Sequence, residues 1–142
     1  RVSIYTAALD IIRHYWVTGI GIGAFNQIYP LFSFEAANAY HAHNLFLQEF
    51  IELGIVGFAV LVLLLLFFFQ RLYSGMRTAP KRFRFLLGAI FGGFAGLLLQ
   101  GLTDHLWFDY RIVLFFWCFI GIGMATVRVA EKKGERETEE MK

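Results

Sequence analysis

The stretch LGIVGFAVLVLLLLFFF, residues 53–69, carries no charged side chain. A helix needs about 20 predominantly apolar residues, with a range of roughly 17–25, to cross the hydrocarbon core of a bilayer. The stretch reaches that range, and the residues before it are compatible with a helix. It therefore predicts a membrane-spanning helix over residues 53–70.

Two further apolar runs follow this stretch. FLLGAIFGGFAGLLLQGL occupies residues 85–102, and IVLFFWCFIGIGMATV occupies residues 112–127. The last run is short by itself, but Trp107 and Tyr110 precede it, and such aromatic side chains anchor spans at the membrane interface. The sequence therefore predicts two more spanning helices, over residues 85–102 and 110–128.

The composition agrees with a membrane protein. Of the 142 residues, 58% are hydrophobic and 17% are charged, whereas soluble domains carry roughly 25% charged residues. A net charge of +2 gives no argument for a nucleic-acid partner. The single cysteine, Cys118, excludes an internal disulfide, and we expect a buried, inert thiol because it lies in an apolar run.

The predicted fold class is an all-α integral membrane protein. An extracytoplasmic amphipathic helix and a loop, residues 1–52, precede a helical bundle fragment of three transmembrane helices, residues 53–129. A charged cytoplasmic tail, residues 130–142, completes the predicted organisation. Because the chain begins with Arg1, we expect it to be a piece of a longer protein.

The charges between the predicted helices set their orientation. Short loops rich in Lys and Arg stay in the cytoplasm. The loop between the first two helices carries five basic residues and no acidic one: Arg71, Arg77, Lys81, Arg82 and Arg84. Residues 1–52 and the loop 103–111 are then predicted to be extracytoplasmic.

The outer segment begins with an amphipathic pattern. Tyr5, Leu9, Ile12 and Trp16 fall on one helical face, opposite polar residues such as Asp10. This spacing predicts a helix that lies along the membrane surface with Trp16 at the interface.

Three glycines follow in the segment TGIGIGAF, residues 18–25. A dinucleotide-binding fingerprint needs G-x-G-x-x-G between a strand and a helix. Here a helix precedes the glycines, and Ala24 stands where the third glycine of that fingerprint should be. We therefore expect a tight turn or a close approach of helices.

The segment HAHN, residues 41–44, directly precedes the first predicted span. Three interpretations stay open from the residues alone. His-x-His offers two metal ligands, but a metal site needs three or four, and no common ligand spacing surrounds this pair. Otherwise the histidines contact water and headgroups at the interface, or one of them is a general base, since the unperturbed pKa of histidine is about 6.5.

A polar stripe continues from this segment into the first span. If the helix begins near His43, then Asn44, Gln48 and Glu52 stack on one face at i, i+4 and i+8. Polar groups at membrane depth are costly unless they line a cavity or pack within the bundle.

A glycine ladder in the second span and three polar residues in the loop after it have structural explanations. Gly88, Gly92 and Gly96 form a G-x-x-x-G-x-x-x-G ladder, which predicts a close approach of helices. In the loop 103–111, Asp104, His105 and Asp109 share the predicted compartment of the histidine pair, but we expect them to be solvated.

Arginines on the outer side favour a phosphate or pyrophosphate ligand, which a guanidinium binds in a bidentate manner. Arg13 has a partner in Asp10, three residues before it. Arg1 has no such local partner, so it is the better candidate.

Three of these patterns together resemble the C-terminal part of the O-antigen ligase and O-antigen polymerase family, which are bacterial polytopic membrane glycosyltransferases. They are an arginine that heads the helix RVSIYTAALDII, the glycine turn GIGIGAF, and the His-Asn pair that opens HAHNLFLQEFIELGIVGF. The resemblance covers residues 1–70, and the later spans only by topology.

The resemblance implies a transferase that moves a glycan from polyprenyl pyrophosphate to a lipid- or polysaccharide-linked acceptor, outside the bacterial cytoplasmic membrane. It implies that His43 is the catalytic residue acting on the acceptor hydroxyl and that Arg1 binds the pyrophosphate. His41 and Asn44 are expected to contact substrate. No metal and no other cofactor is expected. Because family members have many more spans, we expect this chain to be inactive by itself.

A non-enzymatic transporter or export subunit is the alternative function. In that case the stripe Asn44, Gln48 and Glu52 would line a transport pathway. The second and third predicted spans contain no charged residue at depth, and this disfavours the alternative because membrane-buried charges mark such pathways.

Overall fold

The structure is a computed structural model that describes residues 2–33 and 39–140. Within these residues the chain is helical and has no strand, so the all-α prediction is confirmed. The helices are α1 (Val2–Tyr15), α2 (Phe25–Phe32), α3 (Leu45–Thr78), α4 (Lys81–Gln100) and α5 (Tyr110–Glu140), with a short 3-10 helix (Leu106–Phe108) before α5.

Three of the helices, α3, α4 and α5, are long and apolar enough to cross a membrane. α3 and α5 extend beyond the predicted apolar runs, whereas α4 begins before its predicted run and ends at Gln100, before the predicted end at residue 102. α3 begins at Leu45, before the apolar stretch, and α5 continues to Glu140 through the charged tail. The tail is rich in Glu, Lys and Arg, which are good helix formers, so the helix continues after the apolar pattern ends.

The chain divides into two compact units, and each is described by itself. The first unit is Arg1–Val62 with Leu99–Asp109, and the second is Leu63–Leu98 with Tyr110–Lys142. The first unit contains the segment HAHN and the loop that follows α4.

The core of the first unit forms where α1 packs against α2. Ala7, Ala8 and Ile11 on α1 are at most 2% exposed, as are Phe25 and Tyr29 on α2. Burying an aromatic or branched aliphatic side chain contributes about 1.5–3 kcal/mol. The core is completed by residues from the following segment and α3: Ala39, Ala42 and Ile51.

The amphipathic helix is present, and the face that it buries against the rest of the first unit is a different one from the face predicted to lie on the membrane surface. Leu9 and Trp16 are each 53% exposed, whereas the buried face is carried by alanines and one isoleucine. Alanine is only weakly apolar, so hydropathy alone underrates it, yet its small side chain allows two helices to pack closely. Leu9 and Trp16 are left exposed, as side chains that contact a membrane surface would be.

Two glycines bring the turn after α1 into direct contact with α3. Gly19 and Gly54 have φ angles of 68° and 66°, and Gly54 interrupts the helical geometry of α3. A Cβ atom on Gly19 would collide with the carbonyl oxygen of Glu52, and one on Gly54 would lie 2.6 Å from the Gly19 nitrogen. The expected tight turn and close approach are therefore confirmed.

Backbone hydrogen bonds join the two segments across this contact. The irregular geometry at Gly54 leaves nearby backbone groups of α3 without partners inside the helix, and the glycine turn satisfies them. The bonds run from Ile20 N to Ile51 O (3.0 Å), from Gly21 N to Glu52 O (3.1 Å) and from Ile55 N to Trp16 O (2.7 Å).

The second unit is held together by aromatic packing between helices. The ring centroid of Phe94 on α4 lies 4.8 Å from that of Phe68 on α3 and 5.3 Å from that of Phe116 on α5. These edge-to-face geometries are the favoured ones for aromatic pairs. Gly123 leaves room for the Phe68 ring, because a Cβ atom there would lie 2.9 Å from the ring.

Within the described residues, two of the three glycines of the predicted ladder do not pack against another helix, and the third, Gly88, faces Met76 on α3 at ordinary contact distance. Among the residues that the structure describes, nothing lies within 4 Å of a Cβ placed on Gly92 or Gly96. Glycines at close packing positions in the second unit include Gly75, which faces Val127, Gly134, which faces the carbonyl oxygen of Thr78, and the glycine beside the Phe68 ring.

The second unit also contains an ion pair between α3 and α5 and one thiol on α5. Arg71 Nη2 on α3 donates to both carboxylate oxygens of Glu131 on α5, at 3.0 Å each. Cys118 is exposed on α5. The prediction of a buried thiol was therefore wrong for this chain, because an apolar run in a membrane protein faces outward as readily as inward.

Candidate functional site

Asn44 is the N-terminal cap of α3 and joins it to the loop after α4. Its side-chain oxygen accepts a hydrogen bond from Leu47 N at 2.9 Å, and its amide nitrogen donates to Leu102 O at 3.0 Å. Leu45 N donates to Gly101 O at 2.7 Å. An asparagine cap stabilises a helix by about 1 kcal/mol. Both polar groups of this side chain are thus engaged within the chain, and its role in substrate binding stays a prediction.

His43 is held in an unusual backbone conformation beside an acidic side chain. Its φ angle is 51°, the one positive φ of a non-glycine residue in the described part of the chain. His43 Nδ1 lies 3.3 Å from Asp104 Oδ1, across 61 residues of sequence. An ionised carboxylate only accepts hydrogen bonds, so the Nδ1–H of His43 donates to it. The free electron pair of the imidazole is then on Nε2, where a general base carries it.

Asp104 is exposed, and local hydrogen bonds keep it ionised. The backbone N–H of His105 donates to Asp104 Oδ1 at 2.8 Å. This bond, partly offset by burial and supported by the His43 side chain, holds the pKa of Asp104 below its usual value. A carboxylate in this position orients the imidazole and sets its tautomer.

His41 and His105 surround this pair on the more buried side. The ring centroids of His41 and His43 are 4.3 Å apart, and those of His41 and His105 are 5.7 Å apart. Burial, and next the charge of His43, lower the pKa of His41, although Asp104 opposes them. Burial, and next His41, lower the pKa of His105 to about 4, again against Asp104. His105 is therefore uncharged at neutral pH.

Beneath the histidines, a buried pair of polar side chains fixes the segment HAHN. Gln48 and Glu52 are 2% and 7% exposed. Gln48 Oε1 accepts from Ala42 N at 2.8 Å, and Gln48 Nε2 donates to Glu52 Oε1 at 2.6 Å. The other oxygen of Glu52 accepts from Gly23 N at 2.8 Å. The predicted stack of these side chains is confirmed, and it ties the histidine segment to the glycine turn.

The structure brings together three of the four predicted site residues, His41, His43 and Asn44. Arg1 lies outside the described residues. Arg13 is paired with Asp10 at 2.9 Å, as expected from their spacing.

The contribution of the loop 103–111 to the candidate site was not predicted from the sequence, from which these residues were expected to be solvated. Asp104 and His105 belong to the site, because the cap at Asn44 places their loop beside the histidine segment. The sequence feature that could have indicated this contact was the predicted compartment, because the loop and His43 were both expected on the extracytoplasmic side.

The site also contains three groups that are able to ligate one metal ion. A ring nitrogen of His41, a ring nitrogen of His43 and a carboxylate oxygen of Asp104 all lie within 4.8 Å of one another. In the sequence Asp104 was one of several candidate ligands besides the two histidines, and no spacing singled it out because it comes from a distant loop.

Comparison with known proteins gives a match to the first part of the chain. Residues 1–62 match the family model described as O-antigen ligase. No curated protein and no solved structure matches the chain. The matched region contains the glycine turn, the segment HAHN and the buried polar pair. The resemblance predicted from the sequence is therefore confirmed over residues 1–62, which this chain shares with the O-antigen ligase family.

Proposed function

We propose that this chain is part of a membrane glycosyltransferase that moves a glycan from polyprenyl pyrophosphate to an acceptor hydroxyl outside the cytoplasmic membrane. The family match supports a transferase of the ligase or polymerase type that acts on lipid-linked glycan. The observation that carries the catalytic assignment is the contact of 3.3 Å between His43 Nδ1 and Asp104 Oδ1.

In the proposed reaction, His43 Nε2 takes the proton of the acceptor hydroxyl. The acceptor oxygen attacks the anomeric carbon of the glycan, and the bond between that carbon and the pyrophosphate oxygen breaks. The electron pair of the broken bond leaves with the polyprenyl pyrophosphate, so the carrier departs as an anion. Asp104 stabilises the imidazolium that forms on His43.

The leaving pyrophosphate needs cationic groups as its charge develops. Arg1 is the residue proposed for this role on the resemblance. Acceptor and donor are both lipid-linked in this proposal, which is why the base lies at the start of a membrane-spanning helix, on the extracytoplasmic side. No metal takes part in the proposed chemistry.

The transporter alternative has lost its main support. Gln48 and Glu52, which would line a pathway, are buried and hydrogen-bonded to backbone N–H groups of the first unit. In the described residues this stripe anchors two loops.

The test uses the complete protein in a host that lacks its own copy, and it compares carrier-linked glycan with acceptor-linked glycan. His43→Ala should lower transfer by about 10²–10⁴-fold, the usual contribution of a general base. Carrier-linked glycan should accumulate at an unchanged protein level. Asp104→Asn should retain the protein and lower transfer less than His43→Ala.

The matched control is His14→Ala, which removes an exposed histidine of α1. It should transfer glycan at the wild-type rate. Wild-type amounts of finished glycan from His43→Ala would remove this residue from the chemistry and the transferase mechanism with it.

A further inference from the structure

We propose that His41, His43 and Asp104 form a binding site for a transition-metal dication of the zinc type, and that a metal ion bound there blocks glycan transfer. The binding part rests on the geometry of these three side chains. The blocking part rests on the proposed function of His43.

The distances between the three groups suit a small dication. Zinc binds nitrogen and oxygen ligands at about 2.0–2.2 Å in tetrahedral sites, which places neighbouring ligand atoms about 3.4 Å apart. His43 Nδ1 and Asp104 Oδ1 are already 3.3 Å apart. The ligand atom of His41 lies within 4.8 Å of both, so a side-chain rotation that shortens these distances by up to about 1.4 Å would bring all three atoms to the spacing of a metal site.

The types of ligand select the class of metal. Imidazole nitrogens suit zinc, copper, iron and nickel, whereas magnesium and calcium prefer oxygen ligands. Two histidines and one carboxylate leave one tetrahedral position open for water, as in zinc sites with three protein ligands. Asp104 offsets part of the metal charge.

The site is accessible to an ion from solution. The side chain of Asp104 is 54% exposed and that of His43 is 34% exposed. Asp104 lies on a short loop between two helices, so it can adjust to a metal without disturbing a helix. The ligands His43 and Asp104 are 61 residues apart in sequence. A bound metal would therefore cross-link the folded first unit and raise its melting temperature.

A metal at this position is incompatible with the base function of His43. In the proposed transferase, Nδ1 carries the proton and Nε2 carries the free electron pair. A metal on Nδ1 reverses the tautomer, because the neutral ring must then carry its proton on Nε2. The imidazole loses its ability to accept a proton from the acceptor hydroxyl, and its hydrogen bond to Asp104 is replaced by metal ligation.

Metal binding is tested on the complete protein, purified in detergent and freed of metal with a chelator. Cobalt(II) is the probe, because a tetrahedral site gives it intense visible absorption bands. We expect one cobalt ion per chain, displacement by zinc, and a metal-dependent rise in melting temperature. His41→Ala and Asp104→Asn should each weaken binding by at least about 10-fold, through loss of one of three ligands.

The controls separate this site from other histidines and from misfolding. His14→Ala should bind cobalt like the wild type. Asp104→Asn keeps the size of an exposed side chain, so its metal-free melting temperature should stay near that of the wild type. Equal cobalt affinity in the wild type, His41→Ala and Asp104→Asn, or a site lost only with His14→Ala, would overturn the proposal.

The blocking part is tested by adding zinc to the transfer reaction. We expect zinc to inhibit the wild type at the concentrations that displace cobalt, and a chelator to restore transfer. Transfer that is unchanged by zinc, or lost on chelation, overturns this part. The cobalt titration contains no glycan substrate, so it stands whether or not His43→Ala abolishes transfer.

Discussion

Gly54 is the residue at which one added methyl group should destabilise the first unit most directly. A non-glycine residue in the left-handed conformation costs about 1–2 kcal/mol, and Gly54 has a φ of 66°. The added Cβ atom would also lie 2.6 Å from the backbone nitrogen of Gly19. We expect Gly54→Ala to lower the free energy of unfolding by more than the conformational cost alone, measured by denaturation in detergent.

Gly92→Ala is the matched control for that substitution. Gly92 is exposed on α4, and the added methyl group would meet no described atom within 4 Å. Alanine is favoured over glycine inside a helix by about 1 kcal/mol, so this variant should be as stable as the wild type or more stable. Equal losses from both substitutions would contradict the assigned contact between the glycine turn and α3.

At the scale of single residues, the sequence identified those whose signal is local. His43 and Asn44 stand in one short motif, and the glycine turn is visible in its composition. Asp104 was not distinguishable from a solvated residue, because its contact with His43 crosses 61 residues and needs the helix cap at Asn44 to exist. Long-range contacts of this kind leave no periodic pattern in a sequence.

The first turns of α3 hold two loops through one buried pair, Gln48 and Glu52. Glu52→Gln keeps the size of the side chain but leaves one acceptor oxygen where the carboxylate has two. Either Gly23 N–H or the Gln48 amide then loses its acceptor, or Gln48 reverses and Ala42 N–H loses one instead. A buried unsatisfied donor costs about 1–3 kcal/mol, so we expect a loss of stability of that order.

Amide hydrogen exchange locates this effect. In Glu52→Gln, peptides that contain Gly23 or Ala42 should exchange faster than in the wild type. Gln27→Ala, an exposed position on α2, should change stability by no more than about 0.5 kcal/mol. Wild-type exchange at both backbone sites in Glu52→Gln would show that the buried pair does not anchor the loops.

At the scale of helices, a long uncharged apolar run predicted a helix correctly, whereas a helical face made of small, weakly apolar residues gave no signal. The apolar stretch of residues 53–69 predicted a long helix, and α3 contains it. Its true start, Leu45, lies before this uncharged stretch, where the cap at Asn44 and the buried pair stabilise the helix. The face of α1 that packs against α2 was not predicted, because alanines, which are only weakly apolar, carry most of it.

At the scale of the whole molecule, composition alone predicted three apolar helices of spanning length, and the structure contains three. The division into two units was not predictable, because the boundary falls inside α3 and α4, where no change of pattern marks it. The charge distribution predicts the remaining property of the molecule, which is its orientation in the membrane.

The orientation is tested by labelling single cysteines with a maleimide that cannot cross the membrane. The native Cys118 is first replaced by serine, and Thr103→Cys or Thr78→Cys is then introduced at an exposed position after α4 or at the end of α3. Short basic loops stay in the cytoplasm, so the cysteine at 103 should react in intact spheroplasts. The cysteine at 78 should react only after permeabilisation.

The contact between His43 and Asp104 adds a condition to the labelling test that the distribution of charges does not give. It holds the start of α3 next to the loop after α4, so both lie on the same side of the membrane. Either both helices cross the membrane or neither does. Labelling of both positions from outside would contradict a pair of crossings. Labelling of position 78 alone would indicate the opposite orientation. The histidine segment would then lie in the cytoplasm, and the proposed base could not reach an extracytoplasmic acceptor.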